Sequence, residues 1–541
     1  MLNVGRCLLL TLLVAGLHAA AGIEPRVSAV VPWGNDIGFV PMVVQVQSPV
    51  DREITLEARS EGSTARMRLA IGGGTPRSIT LLLPAVQQYT THASLQWSTN
   101  DGLGGHAPVH WSNSARTLAL ALVGSEGELP IDPWNDLANS VGWKGYGHGG
   151  NPAQRLDADS LPDRWQGYPT ALTLVVAPSA QAQLGEGQRQ AIAAWTLTGG
   201  HLVVTQAGQM AAWQSLGVRP QVLSGDPADN QILRERLLAC TSESNDQGST
   251  TDLPGTGDVA ATGFLVLAIC FALIVGPANL IWASRRNARH RLLITTPVLS
   301  LGTCLALILA DIALQGFSLR RQVEQLILID QVATRSVTWT RSTCFAGYTL
   351  ASLDLDPETE VLRHTHQRWE NHRRRHYRNQ GNDHRWDLTW GDRLQVGGTI
   401  VPARTNATLA LRRVAPERRR LDVSLDGQRL GVVNGLDVAV RSLVVKAPDG
   451  RCWGFTDLEA GLTGDADPDP AAGDEHDRIL DLIRQHHGSA AERTVTLASG
   501  GWHVLAVLDA PLDALGDPAG SDDTPPNVLL CARIAVPKGR P

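Results

Sequence analysis

The sequence predicts a multidomain chain in which all-β and α/β regions flank a transmembrane helical hairpin. Three observations carry this. Residues 23–115 alternate apolar and polar with period two, residues 116–240 read strand–helix–strand, and two apolar runs, 263–283 and 292–317, are joined by a basic turn. The expected organisation is a leader (1–22), a β-sandwich (23–115), an α/β domain (116–240), a linker (241–262), two membrane helices (263–283 and 292–317) around a turn (284–291), and a β-sandwich in a C-terminal β-rich domain (318–541).

A chain of 541 residues can bury several separate cores. Its charged fraction of 18% and hydrophobic fraction of 43% fit folded domains rather than disorder. The formal charge of −6 is mild for this length and gives no electrostatic case for nucleic acid as a partner. The seven cysteines form no CxxC pair, which argues against a zinc ribbon or a thioredoxin-like redox motif. Outside the leader and the apolar runs stand Cys240, Cys344, Cys452 and Cys531. Cys452 with Cys531 is the favoured pairing, since both lie on strand-like runs of one region; free buried thiols are the alternative.

The first 22 residues hold one Arg, an apolar run from Cys7 to Leu17, and Ala19-Ala20-Ala21 as an A-x-A cleavage site. That is a secretory signal. About 20 apolar residues span a hydrocarbon core. Gly263–Ala283 has no charge and Leu292–Phe317 only Asp311, so each is expected to cross a bilayer. Arg285, Arg286, Arg289 and Arg291 place the turn in the cytoplasm by the positive-inside rule. Both large regions are then periplasmic, and the expected location is the bacterial inner membrane, with the lipid bilayer and other envelope proteins as partners. Gly276-Pro277 and Pro297 read as tolerated kinks, and Asp311 as an interfacial or Arg-paired carboxylate.

Met42–Gln47, Ile54–Ala58 and Ser78–Leu83 show the alternation best, and Ser48-Pro49, Gly72–Gly74 and Asn100–Gly102 supply the turns. Thr117–Val123, Ala171–Ala177 and His201–Thr205 are apolar strands of a buried parallel sheet. Leu184–Thr198 is an amphipathic helix ending at Gly199-Gly200, so a βαβ unit is expected.

Tyr168–Thr205, reading YPTALTLVVAPSAQAQLGEGQRQAIAAWTLTGGHLVVT, resembles the class I glutamine-amidotransferase-like, flavodoxin-type domains of bacterial membrane proteins. In those proteins a hairpin with a GP.N motif follows, here Gly276-Pro277-Ala278-Asn279, and then a β-rich domain with an NGL pattern, here Val433-Asn434-Gly435-Leu436 through Asp449-Gly450. The order of these weak motifs carries the resemblance, and it implies architecture more than activity.

An amidotransferase needs a cysteine on a strained turn, activated by His. The matching turn, Val204-Thr205-Gln206-Ala207-Gly208, has neither Cys nor Ser. Thr205 lacks a His–acid pair at suggestive spacing, and Cys240 lies far past the turn. The domain therefore reads as catalytically dead, and the expected catalytic, cofactor-binding and metal-binding residues are none. Gly142–Gly150 does not match a P-loop and reads as a surface loop, with Tyr146 and His148 as pocket-lining alternatives.

Past the apolar runs, 325–331 and 335–339 look like strands. Residues 363–385 hold seven Arg and five His against two acids. His372 and His376 have a metal-ligand spacing but no completing ligand. A solvated insertion, or a basic patch for anionic lipid or cell-wall polymer, fits better. Asp426-Gly427 and Pro448–Gly450 are hairpin turns. The acidic run 465–476 fails as a calcium loop, because Pro470 replaces the turn Gly and His476 the final Glu, and it reads as a linker. A short helix (477–487) and strands at 494–497, 503–508 and 528–536 close the expected domain. The function expected is a non-catalytic, membrane-anchored periplasmic scaffold, sensor or accessory subunit. The alternatives are a hydrolase or amidotransferase using the α/β domain, and an accessory subunit of an envelope transporter.

Overall fold

A computed structural model gives the fold. It describes residues 24–35, 38–60, 63–85, 93–111, 118–141, 152–169, 172–223, 225–243, 269–285, 292–315, 319–363, 386–403, 406–498, 501–512, 521–522, 527–534 and 538–539. The expected leader 1–22, the glycine-rich stretch 142–150, linker residues 244–262, turn residues 286–291 and the basic residues 364–385 lie outside the described residues.

The alternating N-terminal region forms a sandwich. One sheet has strands in the order 77–84, 39–47, 26–31, 109–111. The facing sheet has seven strands, and three of these, Leu350–Leu355, Trp386–Trp390 and Leu394–Val401, come from beyond the apolar runs. Trp386–Trp390 pairs in parallel with Ser63–Ile71, setting Leu388 beside Ala65. Arg52–Ser60 buries every second residue, so Ile54, Leu56 and Ala58 face Met42, Val44 and Leu81 across the core. The indole of Trp390 enters the same core and donates to the Leu82 carbonyl at 3.0 Å.

The α/β unit has five parallel strands: β1 (Leu120–Val123), β2 (Ala153–Leu156), β3 (Thr173–Val176), β4 (His201–Val204) and β5 (Gln221–Val222). Their order is 2-1-3-4-5, a doubly wound order. Every residue of β1, β3 and β4 is buried, as unbroken apolar strands require when helices cover both faces. The helices are α1 (Asp132–Ser140), α2 (Pro178–Gln183), α3 (Glu186–Leu197), α4 (Met210–Gln214) and α5 (Gln231–Glu243). Trp134 and Leu137 of α1 and Leu233 and Leu237 of α5 pack against one face. Ile192 and Trp195 of α3 pack against the other.

The described parts of the apolar runs form two helical segments. The first is cut by a π-turn, Ile274–Ala278, around Pro277, before α6 (Asn279–Arg285). Proline lacks the N–H that a regular turn needs, and the wider turn absorbs the defect. The second forms α7 (Leu292–Gln315) with Pro297 inside it. Thr295, Thr296, Ser300 and Thr303 interrupt its apolar side chains over 293–305, the part whose side chains are described. Among the described residues, no helix is long and apolar enough to cross a membrane. The expected membrane helices 263–283 and 292–317, the transmembrane hairpin built from them, and the inner-membrane location are corrected by that finding. Asn279, of the GP.N motif, is buried and binds α6 to α7: its Nδ2 donates to Thr296 Oγ1 at 3.2 Å and its Oδ1 accepts from Thr295 Oγ1 at 3.1 Å.

The C-terminal region centres on one large sheet. Its labelled strands are β6 (Leu319–Asp330), β7 (Arg335–Ala346), β8 (Asn406–Pro416), β9 (Val440–Lys446), β10 (Cys452–Leu458), β11 (His503–Leu508) and β12 (Asn527–Arg533). They lie in the order β8-β7-β6-β12-β11-β9-β10, with Thr359–Arg363 outside β8. A smaller sheet containing Arg420–Asp426 and Arg429–Gly435 covers one face through Leu421, Leu430 and Val432. The other face carries α8 (Ala471–Ala498), through Ile479, Ile483, Ala491 and Val495.

Helix α8 overturns two expectations. The helix is not confined to 477–487, and 494–497 is not a strand. Val495 is fully buried within the helix, and that burial outweighs the β preference of the Thr-Val-Thr sequence. Cys452 is a buried free thiol, so the favoured disulfide with Cys531 is absent. Asn434 of the NGL motif is a structural residue. Its Nδ2 donates to the carbonyls of Val438 and Leu458, both at 3.0 Å, and its Oδ1 accepts the Leu436 amide at 3.0 Å.

Candidate functional site at the ends of the parallel strands

In a doubly wound sheet, ligands and catalytic groups gather outside the C-terminal strand ends, where the strand order reverses. Here that point lies between β1 and β3, with the turn after β4 beside it. The chain leaves β1 through Gly124, whose φ is +153°, and a side chain there would put its Cβ 2.5 Å from that of Ala177. The close approach brings the Ser125 loop next to the loop that opens α2 at Ser179.

Glu128 sits across those two loops. Its carboxylate accepts from the Ser125 hydroxyl at 2.9 Å, from the Ser179 hydroxyl, and from both serine amides at 3.4 Å. The hydroxyl of Ser179, and then that of Ser125, holds its pKa below the usual carboxylate range. The donors that could receive an anionic ligand at the crevice are therefore turned onto a carboxylate of the chain itself.

Gln209 closes the neighbouring turn. Its Oε1 accepts the amides of Thr205 at 3.1 Å and Gln206 at 3.0 Å. Its Nε2 donates to the Val176 carbonyl at 3.1 Å and to Gln181 Oε1 at 2.8 Å. The Trp213 indole donates to the same Gln181 oxygen at 3.3 Å. The two turn amides that could stabilise an oxyanion are thus occupied. The Thr205 hydroxyl lies 3.4 Å from Gln209 Oε1, an amide oxygen that is too weak a base to take its proton. The buried histidine of this sheet, His201, begins β4, and four residues of strand put it about 13 Å from Thr205. It bonds to Gln221 Oε1 at 2.8 Å and contacts Thr173 Oγ1 at 3.4 Å. Burial, and then the Arg236 charge, lowers its pKa to about 3.

A second polar cluster lies beneath α8. His476 Nε2 meets His503 Nε2 at 3.2 Å, while His476 Nδ1 faces Asp477 and His503 Nδ1 faces the Gly501 carbonyl, both at 3.0 Å. Ten residues on, His486 Nδ1 meets Glu324 Oε1 at 3.1 Å, and Arg341 donates to the His486 carbonyl at 2.9 Å. The adjacent His487 Nε2 is sealed from solvent without a hydrogen-bond partner. Among the described residues, no group of three or more His, Cys, Asp or Glu is placed to hold a metal.

The residues weighed from sequence are not brought together. Thr205 sits in the closed turn. Cys240 lies on α5, its side chain outside the described part, as is that of Asp311. Tyr146, His148, His372 and His376 also lie outside the described residues. Sequence reasoning missed Glu128, Gln209 and the α8 histidines. The one signal for Gln209 was a polar residue four positions beyond the end of an apolar strand.

No family model matches the chain, and no curated protein matches it. Among solved structures, the chain is similar to the yeast delta-COP-I mu-homology domain complexed with a Dsl1 WxWxV peptide, at 8% identity and a TM-score of 0.19, over 40% of this chain and 95% of that one. It is also similar to a Paenibacillus sp. cycloisomaltooligosaccharide glucanotransferase complexed with cycloisomaltoheptaose, at 14% identity and a TM-score of 0.15, over 36% of this chain and 29% of that one.

Proposed function

We propose that the protein is a non-catalytic scaffold or sensor whose α/β unit serves as a packing and interaction module. One observation carries this reading: the side chains of Glu128 and Gln209 occupy the donors at the strand ends where an enzyme of this topology would hold its substrate. A nucleophile at Thr205 would need a general base within about 3 Å, and the buried imidazole of His201 lies at the far end of its strand. The extensive contact between the unit and the large sheet, through one shared core, suits a scaffold in which position rather than turnover is transmitted.

The test uses serine- and thiol-directed covalent probes on the intact protein, followed by peptide mapping. The expected result is no stoichiometric labelling at Thr205 or Cys240. Labelling there, with a hydrolytic or transferase activity lost in Thr205→Ala or Cys240→Ala, would overturn the reading in favour of an enzyme.

A further inference from the structure

The two ends of α8 meet the sheet with different proton chemistry. At the first end three contacts run in series: Asp477 to His476, His476 to His503, and His503 to the Gly501 carbonyl. Asp477 and the carbonyl can only accept. Two neutral imidazoles carry two ring protons, so one of the three contacts is unmade until a third proton arrives. The groups facing this end are Asp477 and Glu475 of α8, Lys446 of β9, Cys452 of β10 and His503 of β11. Arg533 of β12 is paired with Asp330 at 3.1 Å. Burial lowers the pKa of His476 and the hydrogen bond to Asp477 opposes that, so a third proton arriving here has an acceptor waiting for it.

At the second end His487 is placed differently. His487 Nε2 is sealed without a partner, and the charges acting on it are Arg341 of β7 and its neighbour His486, with Glu324 of β6 against those two. Glu324 already engages His486, and Arg341 presents a cation. Burial first, and Arg341 next, lowers the pKa of His487 to about 3. Beyond it, Ala491 and Val495 are buried in the core shared with α3 and β4. The Thr494 hydroxyl lies 2.7 Å from where a Cβ on Gly199 would stand, at the turn between α3 and β4. The Gly199 carbonyl accepts from Arg236 at 3.3 Å. The second half of α8 is thus the bridge between the α/β unit and the large sheet.

We propose that His487 is an acid-released latch: its protonation frees α8 from His486 onward, and with it the contact between the α/β unit and the large sheet, while the first half of α8 stays docked. The histidine is neutral when latched. Its folded pKa is depressed, so latching is complete above about pH 6.5 and weakens as pH falls toward 3. Within that window the released population rises by about tenfold per pH unit.

The test is amide hydrogen exchange of the full chain, read by mass spectrometry between pH 7 and 5 and corrected for intrinsic rates. Protection of 486–498 is expected to fall as pH drops, approaching about tenfold per pH unit below about pH 6.5, while 471–483 keeps its protection. His487→Gln should remove the pH dependence and His476→Gln should leave it. Equal protection of 486–498 at both pH values, or an unchanged pH slope in His487→Gln, overturns the proposal. Should His487→Gln fail to fold, the wild-type pattern decides: loss that begins in 471–483, or that spreads evenly through the chain, overturns it as well.

Discussion

Arg412 and Glu360 form an ion pair sealed inside the protein, with the Arg412 Nε donating to Glu360 Oε2 at 2.8 Å. Both side chains are almost wholly buried, and the guanidinium also stacks 5.3 Å from the Trp165 ring centre. Trp165 itself donates to Glu358 at 3.0 Å, and its neighbour Gln166 donates to the Pro357 carbonyl at 2.8 Å. The pair therefore stands where strand 359–363, β8 and the α/β unit meet.

Breaking that pair on one side strands a buried charge. Arg412→Met is expected to lower stability by about 3–5 kcal/mol, and Glu360→Gln by less, since a neutral amide can still accept from the guanidinium. The double change Glu360→Leu/Arg412→Met should recover most of the loss. Urea unfolding of these variants and of the single change Glu360→Leu measures this, and additive losses in the double variant would show that the two groups are not coupled.

Gln209→Ala removes an amide that serves four backbone and side-chain partners at the end of β4. The bond to Val176 is buried and the other three are partly buried, so the cost is about 1–3 kcal/mol. No activity should appear in the variant, because opening the turn supplies neither nucleophile nor base. Equilibrium unfolding and a screen with esterase and amidase substrates check both halves.

His201 makes the α/β unit acid-sensitive. Its pKa is lowered to about 3 by burial and then by Arg236, so its neutral form is favoured in the fold. A depressed folded pKa adds stability that is fully present above about pH 6.5 and is lost as pH falls toward 3. The slope contributed is up to about 1.4 kcal/mol per pH unit within that window. Urea midpoints at pH 7, 6 and 5 should show a shallower decline in His201→Gln than in the wild type. An identical decline would place the acid sensitivity elsewhere.

Local patterns in the sequence located most strands, because period-two alternation and unbroken apolar runs report burial directly. Arg52–Ser60 and His201–Val204 are examples of each. Partnership across the chain was not legible. Nothing in Trp386–Trp390 announces that it will pair with Ser63–Ile71, more than three hundred residues away, since strand edges carry no address beyond their hydrogen-bond pattern. The apolar runs misled for a different reason. A π-turn at Pro277 divides the first run, and Thr295, Thr296, Ser300 and Thr303 stand among the apolar side chains of the second over 293–305. Of the candidate site, the turn after Val204 was legible as Thr205-Gln206-Ala207-Gly208. The side chains that fill the space, Glu128 and Gln209, were not, because their role depends on loops that meet only in the fold.

The cysteines offer a sharp check on the large sheet. Cys452 lies on β10 and Cys531 on β12, with β9 and β11 between them. Three inter-strand spacings put their backbones about 14 Å apart, whereas a disulfide needs Cα atoms within about 7 Å. Burial also raises the Cys452 thiol above its ordinary pKa, which slows its attack on oxidants and alkylating agents in the native state. Protein unfolded in guanidinium without reductant should therefore take up iodoacetamide at Cys344, Cys452 and Cys531, and prior reduction should add nothing at these sites. In the native state all three should be slow, since each is buried. A Cys452–Cys531 cross-linked peptide in a non-reducing digest would require these strands to be neighbours, and the order β12-β11-β9-β10 could not stand.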